Sequence, residues 1–514
     1  MRVAIRVDAS ADIGTGHVKR CLSLAEALAS IGAEVRFICR DHGLSYESMF
    51  AGRPEPLVLL TPPAPGWTRA DGDPAHAEWA GLTAEADAAE TVAALENWVP
   101  DWIVLDHYGF DRRWHDTVRD ALGCKLAQID DLGDRPLAVD LLVDHNPAPD
   151  HRAKYAASGP MLGRLLGGPR YALLAPAYRD LAVPERAQSV RSIGIFLGGV
   201  DLDNRTPGVL AACRAAGFHG PVAIVSTSAN PHLAALESAI AVDGSAILLT
   251  DLPDLVSFFL AHDIQIGAGG GATWERCRTG AAAIVLSTAS NQRIVVDGLI
   301  AADAAVGLYA GEAGALPDAI RRLLGDPALR ARLSVNAAQL VDGRGCERVA
   351  LAMAAERVAV RPATMSDAQK ILVWRNHPET RAMSIDSSEI DLHNHLAWFE
   401  RSLAMQDDRR IFIGMIGVVD VGVVRFDRSG AGEWTVSIFL DPGLPGLGLG
   451  TRLLRAGEQA MLAAAGPQIR FHAETLPGNL ASRTMFLSCG YRGDVNFVKD
   501  AGTDSASNER SGNG

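Results

Sequence analysis

The chain has 514 residues, with 48 Lys and Arg against 61 Asp and Glu, for a formal net charge of −13. That length exceeds one ordinary core and implies about three domains, and the acidic balance excludes a general nucleic-acid binder, whose footprint is a basic patch, while still allowing a local basic pocket. Seven scattered cysteines with no Cys-x-x-Cys pair argue for a reducing, cytoplasmic setting and against a disulfide framework or a bound metal, and no apolar run reaches the roughly 18 to 20 residues of a membrane span.

Met1 to Val7 alternates basic and apolar residues, which predicts a strand rather than a signal peptide. Val18, Cys21, Leu22, Ala25 and Leu28 then recur at helical spacing, so His17 opens a helix. Gly14 and Gly16 let the backbone approach a ligand, and the free N–H groups of the first helical turn attract an anion such as a diphosphate. A helix N-terminus also favours the neutral imidazole, the form that acts as a base. The plainer alternative has His17 capping the turn or donating to a phosphate. Arg6 and Asp8, two apart on a strand, share a face. They either orient His17 or the substrate, or form a routine salt bridge.

Further strands are predicted at Glu34 to Cys39, Trp102 to Leu105, Leu126 to Ile129 and Leu141 to Val143, with helices at Val18 to Ser30 and Ala84 to Glu96. A second series follows the Pro- and Gly-containing stretch around 159 to 190, at Ser192 to Leu197, Val222 to Val225, Ala246 to Leu249, Ile264 to Ile266 and Ala283 to Leu286. Such alternation predicts two parallel, helix-covered sheets in tandem, residues 1–165 and 166–352, with ligands at the carboxyl ends of the strands. In the second, Gly198, Gly199 and Asp201 form one phosphate-facing turn. The stretch from Ile266 to Glu275 reads as a strand, a glycine loop with Gly270 and Gly271, and a helix start carrying Thr273. Glu275 is placed to accept hydrogen bonds from ribose hydroxyls, or simply complements the helix dipole. Asn291 and Gln292 face the sugar or diphosphate, or are ordinary turn formers.

The first segment, Arg6-x-Asp8 then Ile13-Gly14-Thr15-Gly16-His17 and Arg20, resembles the UDP-sugar hydrolases of the pseudaminic acid pathway. The likeness continues through Asp106-His107-Tyr108, Gln128 to Asp131, Leu166 to Tyr171, Phe196 to Asp201, Gly269 to Cys277 and Asn291-Gln292. It implies two Rossmann-like domains in a GT-B arrangement. The implied activity is release of UDP from UDP-2,4-diacetamido-2,4,6-trideoxy-β-L-altropyranose, with His17 as the base that activates water and no cofactor. Tyr108 and Arg20 join the expected pocket. Leu174-Ala-Pro-Ala-Tyr178 departs from the Leu-Arg-x-Glu-Phe expected at the pocket's edge.

From about residue 358 the chain becomes richer in Trp, His and Arg, and a third α/β domain is expected over 358–499, followed by a disordered tail at 500–514. Trp374-Arg375-Asn376, His395 to Phe399, a strand from Ile411 to Val418, and Trp434 to Phe439 before Gly446-Leu-Gly448-Leu-Gly450 resemble a GNAT N-acetyltransferase. Backbone N–H groups from Gly446 to Thr451 would cradle the pyrophosphate of acetyl-CoA, the implied co-substrate. Asn479, Ser482 and Phe486 match the family's Asn-x-x-Ser element, and Phe439 lies on the strand beside the cofactor. Pro445 replaces the usual Gln or Arg, and Phe486 replaces the tyrosine that protonates the departing thiolate. An altered transferase, joined to the hydrolase as the preceding step, is the expectation. The rivals are a UDP-sugar glycosyltransferase and a third domain that only binds CoA or a sugar nucleotide.

Overall fold

The computed structural model describes residues 1–10, 12–184 and 188–500, so the expected tail lies outside the described residues apart from Asp500. Residues 1–29 and 33–349 form one compact unit, and the chain from residue 350 belongs to a second.

The first unit contains two parallel sheets. Strands β1 (Arg2–Val7), β2 (Glu34–Arg40), β3 (Leu57–Leu60), β4 (Trp102–Asp106), β5 (Lys125–Ile129), β6 (Val139–Asp144) and β7 (Leu162–Gly167) lie in the order β3-β2-β1-β4-β5-β6-β7. Every neighbouring pair is parallel. Central strands such as β4 are buried along their whole length, as a sheet covered on both faces requires. The helices α1 (Gly16–Ser30), α2 (Ala84–Ala94) and α3 (Arg112–Leu122) connect them. Thr83 and Asp111 cap the last two helices by accepting from Ala86 and Arg113 N–H.

The second sheet repeats the plan. Strands β8 (Ile193–Phe196), β9 (Val222–Ser226), β10 (Ala246–Thr250), β11 (Ile264–Ala268), β12 (Ala282–Leu286) and β13 (Val306–Leu308) lie in the order β10-β9-β8-β11-β12-β13. They too are all parallel. Each sheet reverses its strand order once, between β1 and β4 and between β8 and β11, and such a switch point leaves a crevice at the carboxyl ends. The helix α4 (Ala272–Arg278) follows β11.

The expected central strands are present. Three edge strands, β3, β7 and β13, were not expected, and β7 carries the first sheet two residues past the division at 165.

The second unit is built on a mixed sheet, β14 (Ala359–Pro362), β15 (Arg409–Ile416), β16 (Val419–Gly430), β17 (Glu433–Leu440), β18 (Arg470–Glu474), β19 (Arg492–Gly493) and β20 (Asn496–Asp500), in the order β14-β15-β16-β17-β18-β20-β19. Among the described residues of this sheet, only β17 and β18 pair in parallel. Their register runs from Glu433 with Arg470 to Thr435 with His472 and then stops, although β17 continues to Leu440. The two strands therefore splay apart. Helices α5 (Leu392–Ala404), α6 (Leu449–Ala465) and α7 (Leu480–Ser488) accompany this sheet.

Candidate functional site

At the first switch point, the glycine turn delivers His17 to the N-terminus of α1, opposite the end of β4. Gly14 adopts φ +75°, a conformation that side chains rarely accept. His17 Nδ1 lies 2.7 Å from Asp106 Oδ1. Arg20 grips the same carboxylate from both sides, with Nε 2.6 Å from Oδ2 and Nη2 2.5 Å from Oδ1. Arg20 Nη2 also approaches His17 Nδ1 at 3.1 Å. Guanidinium cannot accept, so Nδ1 either donates to Asp106 or accepts from Arg20. The shorter contact and the negative charge favour Nδ1–H donating to Asp106, which leaves Nε2 with the free lone pair. Against burial, which raises it, Arg20 and His17 hold the Asp106 carboxyl well below the usual carboxylate range.

An aromatic wall stands beside this pair. Tyr108 meets the His17 ring edge-on at 4.9 Å between centroids, and Trp79 lies 6.4 Å away. The Tyr108 hydroxyl donates to Asp131 at 2.5 Å. Burial pulls the His145 imidazole down to about 4, despite Asp131 nearby, so it is neutral at pH 7.

Arg6 and Asp8 do not enter this pocket. Both side chains are wholly buried: Arg6 binds Asp8 at 2.5 Å and holds Asp87 with Nε at 3.0 Å and Nη2 at 2.6 Å. Of the two expectations for this pair, the salt bridge is the one the side chains make. Asp8 also receives the backbone N–H of Arg40 at 2.6 Å. The pair ties β1 to β2 and α2 behind the site.

In the second half, Gly198 takes φ +107° after β8. Asp201 is committed locally, accepting from Arg205 N–H at 3.0 Å and from Thr206 N–H at 2.8 Å at the start of the following helix. Thr273 is also committed, its hydroxyl donating to the Ala268 carbonyl at 3.1 Å. The glycine loop is shaped by Gln292, whose Cβ would lie 3.2 Å from a Cβ on Gly269, while Gly270 and Gly271 stay uncrowded. Gln292 Oε1 accepts from Thr288 N–H and hydroxyl, and Asn291 is exposed. Glu275 is half-buried, and burial pushes its carboxyl up to about 7 against the opposing influence of Lys19 and Arg276. Lys19 belongs to α1, two residues after His17. The helix start that carries His17, Lys19 and Arg20 therefore lies close enough to Glu275 for the Lys19 charge to act on its carboxyl.

The splay between β17 and β18 opens a cavity of about 1270 Å³. All eight expected cofactor residues line it: Phe439, Gly446, Gly448, Gly450, Thr451, Asn479, Ser482 and Phe486. Gly446 and Gly448 take φ +79° and +72°, which turns the chain into α6 and presents its free N–H groups. Asn479 caps α7 by accepting from Ser482 N–H at 3.1 Å. Phe486 is 3% exposed and packs on Tyr491 and Phe497. The Tyr491 hydroxyl cannot stand in for it, because it is bound to Glu458 at 2.7 Å. His395 lines the cavity, but its Nε2 donates to the Ala368 carbonyl at 2.9 Å and its ring stacks on Phe399, so it sits as a packed core histidine. Glu379, Asp386, Asp441 and Glu474 line it together with Arg375 and Arg425, so both signs of charge meet the cavity.

Sequence reasoning missed Asp106 as the partner of His17, although the block Asp106-His107-Tyr108 at a strand end was the available signal. It also missed Trp79, His145 and Lys19. Among the described residues no cluster of three or more His, Cys, Asp and Glu could hold a metal ion, and no helix is long and apolar enough to cross a membrane.

Residues 357–492 match the family model for an acetyltransferase (GNAT) domain. No curated protein matches the chain. Among solved structures, MurG of Acinetobacter baumannii is similar at 14% identity over 68% of this chain and 98% of its own, with a TM-score of 0.46. UGT89C1 of Arabidopsis thaliana, complexed with quercetin, is similar at 14% identity over 68% of this chain and 99% of its own, with a TM-score of 0.48. Aminoglycoside acetyltransferase AAC(6')-Ib, in complex with coenzyme A and kanamycin, is similar at 17% identity over 28% of this chain and 94% of its own, with a TM-score of 0.25. The chain is thus an α/β protein whose first unit holds two parallel, Rossmann-like sheets in tandem, followed by a segment, residues 357–492, that matches the acetyltransferase (GNAT) domain family.

Proposed function

We propose that the first unit hydrolyses a UDP-sugar at the anomeric carbon, and that the GNAT domain acetylates the amine of the same sugar nucleotide beforehand. The observation that carries the first part is the His17–Asp106 pair at the switch point, on the same helix start as Lys19, whose charge reaches Glu275. His17 Nε2 takes a proton from water as the oxygen attacks C1. The C1–O bond to the diphosphate breaks, and UDP leaves with its electron pair. Asp106 stabilises the imidazolium that forms, and Arg20 keeps the carboxylate in place. Lys19 and the N-terminus of α1 lie on the side where the diphosphate charge develops. Tyr108 and Trp79 crowd the His17 ring, which favours a small nucleophile over a bulky acceptor.

Acetyl-CoA is the co-substrate of the GNAT domain. Its amine acceptor attacks the thioester carbonyl, the C–S bond breaks and CoA leaves as the thiolate. The lining carboxylates Glu379, Asp386 and Glu474 support a cationic acceptor before deprotonation. The proposed acceptor is the 4-amino group of UDP-2-acetamido-4-amino-2,4,6-trideoxy-altrose, whose acetylated product is the hydrolase substrate. Incubating the chain with this amine, with and without acetyl-CoA, and quantifying UDP and free thiol tests the sequence of steps. Both products appear only with acetyl-CoA if the two activities are consecutive. Transfer of the sugar from UDP to an added acceptor, and never to water, with UDP released only then, would instead identify a glycosyltransferase.

A further inference from the structure

The second Rossmann-like half contains a buried cation whose guanidinium makes no hydrogen bond among the described residues, the charge on neighbouring Glu275 acting on it only at a distance. Arg276 is 1% exposed, and its Nε, Nη1 and Nη2 have no hydrogen-bond partner. Its guanidinium lies over the Phe259 ring at 5.5 Å, with no carboxylate bound. Buried arginines elsewhere in this chain are treated otherwise, Arg6 being held by Asp8 and Asp87 and Arg348 by Asp342. Five N–H donors without an acceptor are a state that folded proteins rarely retain without a use.

The location suggests the use. A Cβ on Gly267 would lie 2.0 Å from Arg276 Nη2 and 2.6 Å from the Phe196 carbonyl oxygen. Gly267 on β11 is the register partner of Phe196 on β8, and these are the two strands between which the strand order reverses. The guanidinium therefore lies under the crevice of the switch point, between the turn at Gly198–Gly199 and the loop at Gly269–Gly271. Gly267 is what makes room for it. Burial draws the Arg276 pKa down to about 10, so the side chain is still cationic at neutral pH.

We infer that Arg276 is a buried countercharge for the diphosphate of the sugar nucleotide, acting from beneath the crevice through a low-dielectric floor rather than by contact. This rests on the nucleotide-sugar reading of the cleft. In such a medium one unit charge acts on another over several ångströms with little screening. A cation with no carboxylate in hydrogen-bond contact suits the task, because a contacting carboxylate would cancel most of its field.

The test is the binding of UDP and of uridine to the full chain and to Arg276→Met and Arg276→Lys, by calorimetry, together with the melting temperature of each without nucleotide. The Met variant is expected to weaken UDP by about tenfold or more and uridine by less than about twofold. Its melting temperature is expected to hold or rise, since an apolar side chain replaces an unpaired buried charge. Arg276→Lys retains the cation and with it most of the preference for UDP. Equal weakening of UDP and uridine, or a lower melting temperature with an unchanged UDP-to-uridine ratio, would make Arg276 a packing residue and overturn the inference. A native chain that binds neither nucleotide would overturn the nucleotide-sugar reading, and this assignment with it.

Discussion

His17 and Asp106, 89 residues apart in sequence, meet at 2.7 Å where β1 and β4 end side by side. That contact turns a glycine-rich helix start into a base whose second nitrogen is free for the nucleophile. His17→Gln is expected to lower the rate of UDP release by about 10² to 10⁴, the usual worth of a positioned general base. Asp106→Asn is expected to cost a comparable factor, because the amide offers no charge to the imidazolium and loosens Arg20 as well. Steady-state kinetics on the UDP-sugar measure both. A loss below tenfold in both variants would remove the pair from the mechanism.

The Glu275 carboxyl, pushed up to about 7 by burial, predicts a pH-dependent affinity. Ribose hydroxyls donate to the carboxylate, so binding draws on the ionised form. Below pH 7 most of the free protein carries the proton, and the affinity for uridine falls by about tenfold per further pH unit. Above pH 8 the affinity levels off. Glu275→Gln abolishes this dependence and binds uniformly more weakly. Calorimetric titrations between pH 5.5 and 8.5 check it.

Acid should destabilise the first sheet through its buried imidazoles. Burial draws His107 down to about 3 and His115 and His145 to about 4, against about 6.5 in an unfolded chain. The unfolded state binds more protons between those values, so stability is present above about pH 6.5 and is lost as the pH falls towards 4. At pH 5 the loss is about 2 kcal/mol for each histidine. Thermal melts across this range should show the melting temperature dropping before any carboxylate titration near pH 4. His115→Gln should lessen the drop.

Phe486 leaves the acetyltransferase without the phenol that would protonate the departing thiolate. Phe486→Tyr adds one hydroxyl at the wall of the cavity and is expected to raise kcat for thiol release by about tenfold, with little change in the KM for acetyl-CoA. Transfer without that acid proceeds because holding the amine against the thioester supplies much of the rate. A lower kcat in the tyrosine variant would show that the wall is shaped for a different donor.

Much of this organisation was legible in the residues. β1 runs from Arg2 to Val7 as its alternation predicted, and the central strands followed because each is a short apolar run bounded by turn residues. Five of the eight expected cofactor residues, Phe439 to Thr451, share the cavity because β17, the glycine turn and α6 are contiguous, and α7 beyond β18 brings Asn479, Ser482 and Phe486 to it. Pairings across long separations were not legible. The commitment of Arg6 depends on Asp87, 81 residues away, and the activation of His17 on Asp106. Edge strands escaped for another reason: β3 and β13 are only four and three residues long and partly exposed, so they carry little periodic signal. Asp201 and Thr273 have the residue types of ligand contacts but serve as a cap and a backbone tether, a choice that local sequence leaves open.

The most direct measurement of the central claim is hydrolysis of UDP-2,4-diacetamido-2,4,6-trideoxy-β-L-altropyranose in ¹⁸O-labelled water, with mass analysis of both products. Attack of water at C1 by way of His17 places the label in the free sugar and none in UDP, and His17→Gln loses the reaction. Label in UDP, or no release of UDP without a sugar acceptor, would contradict the account.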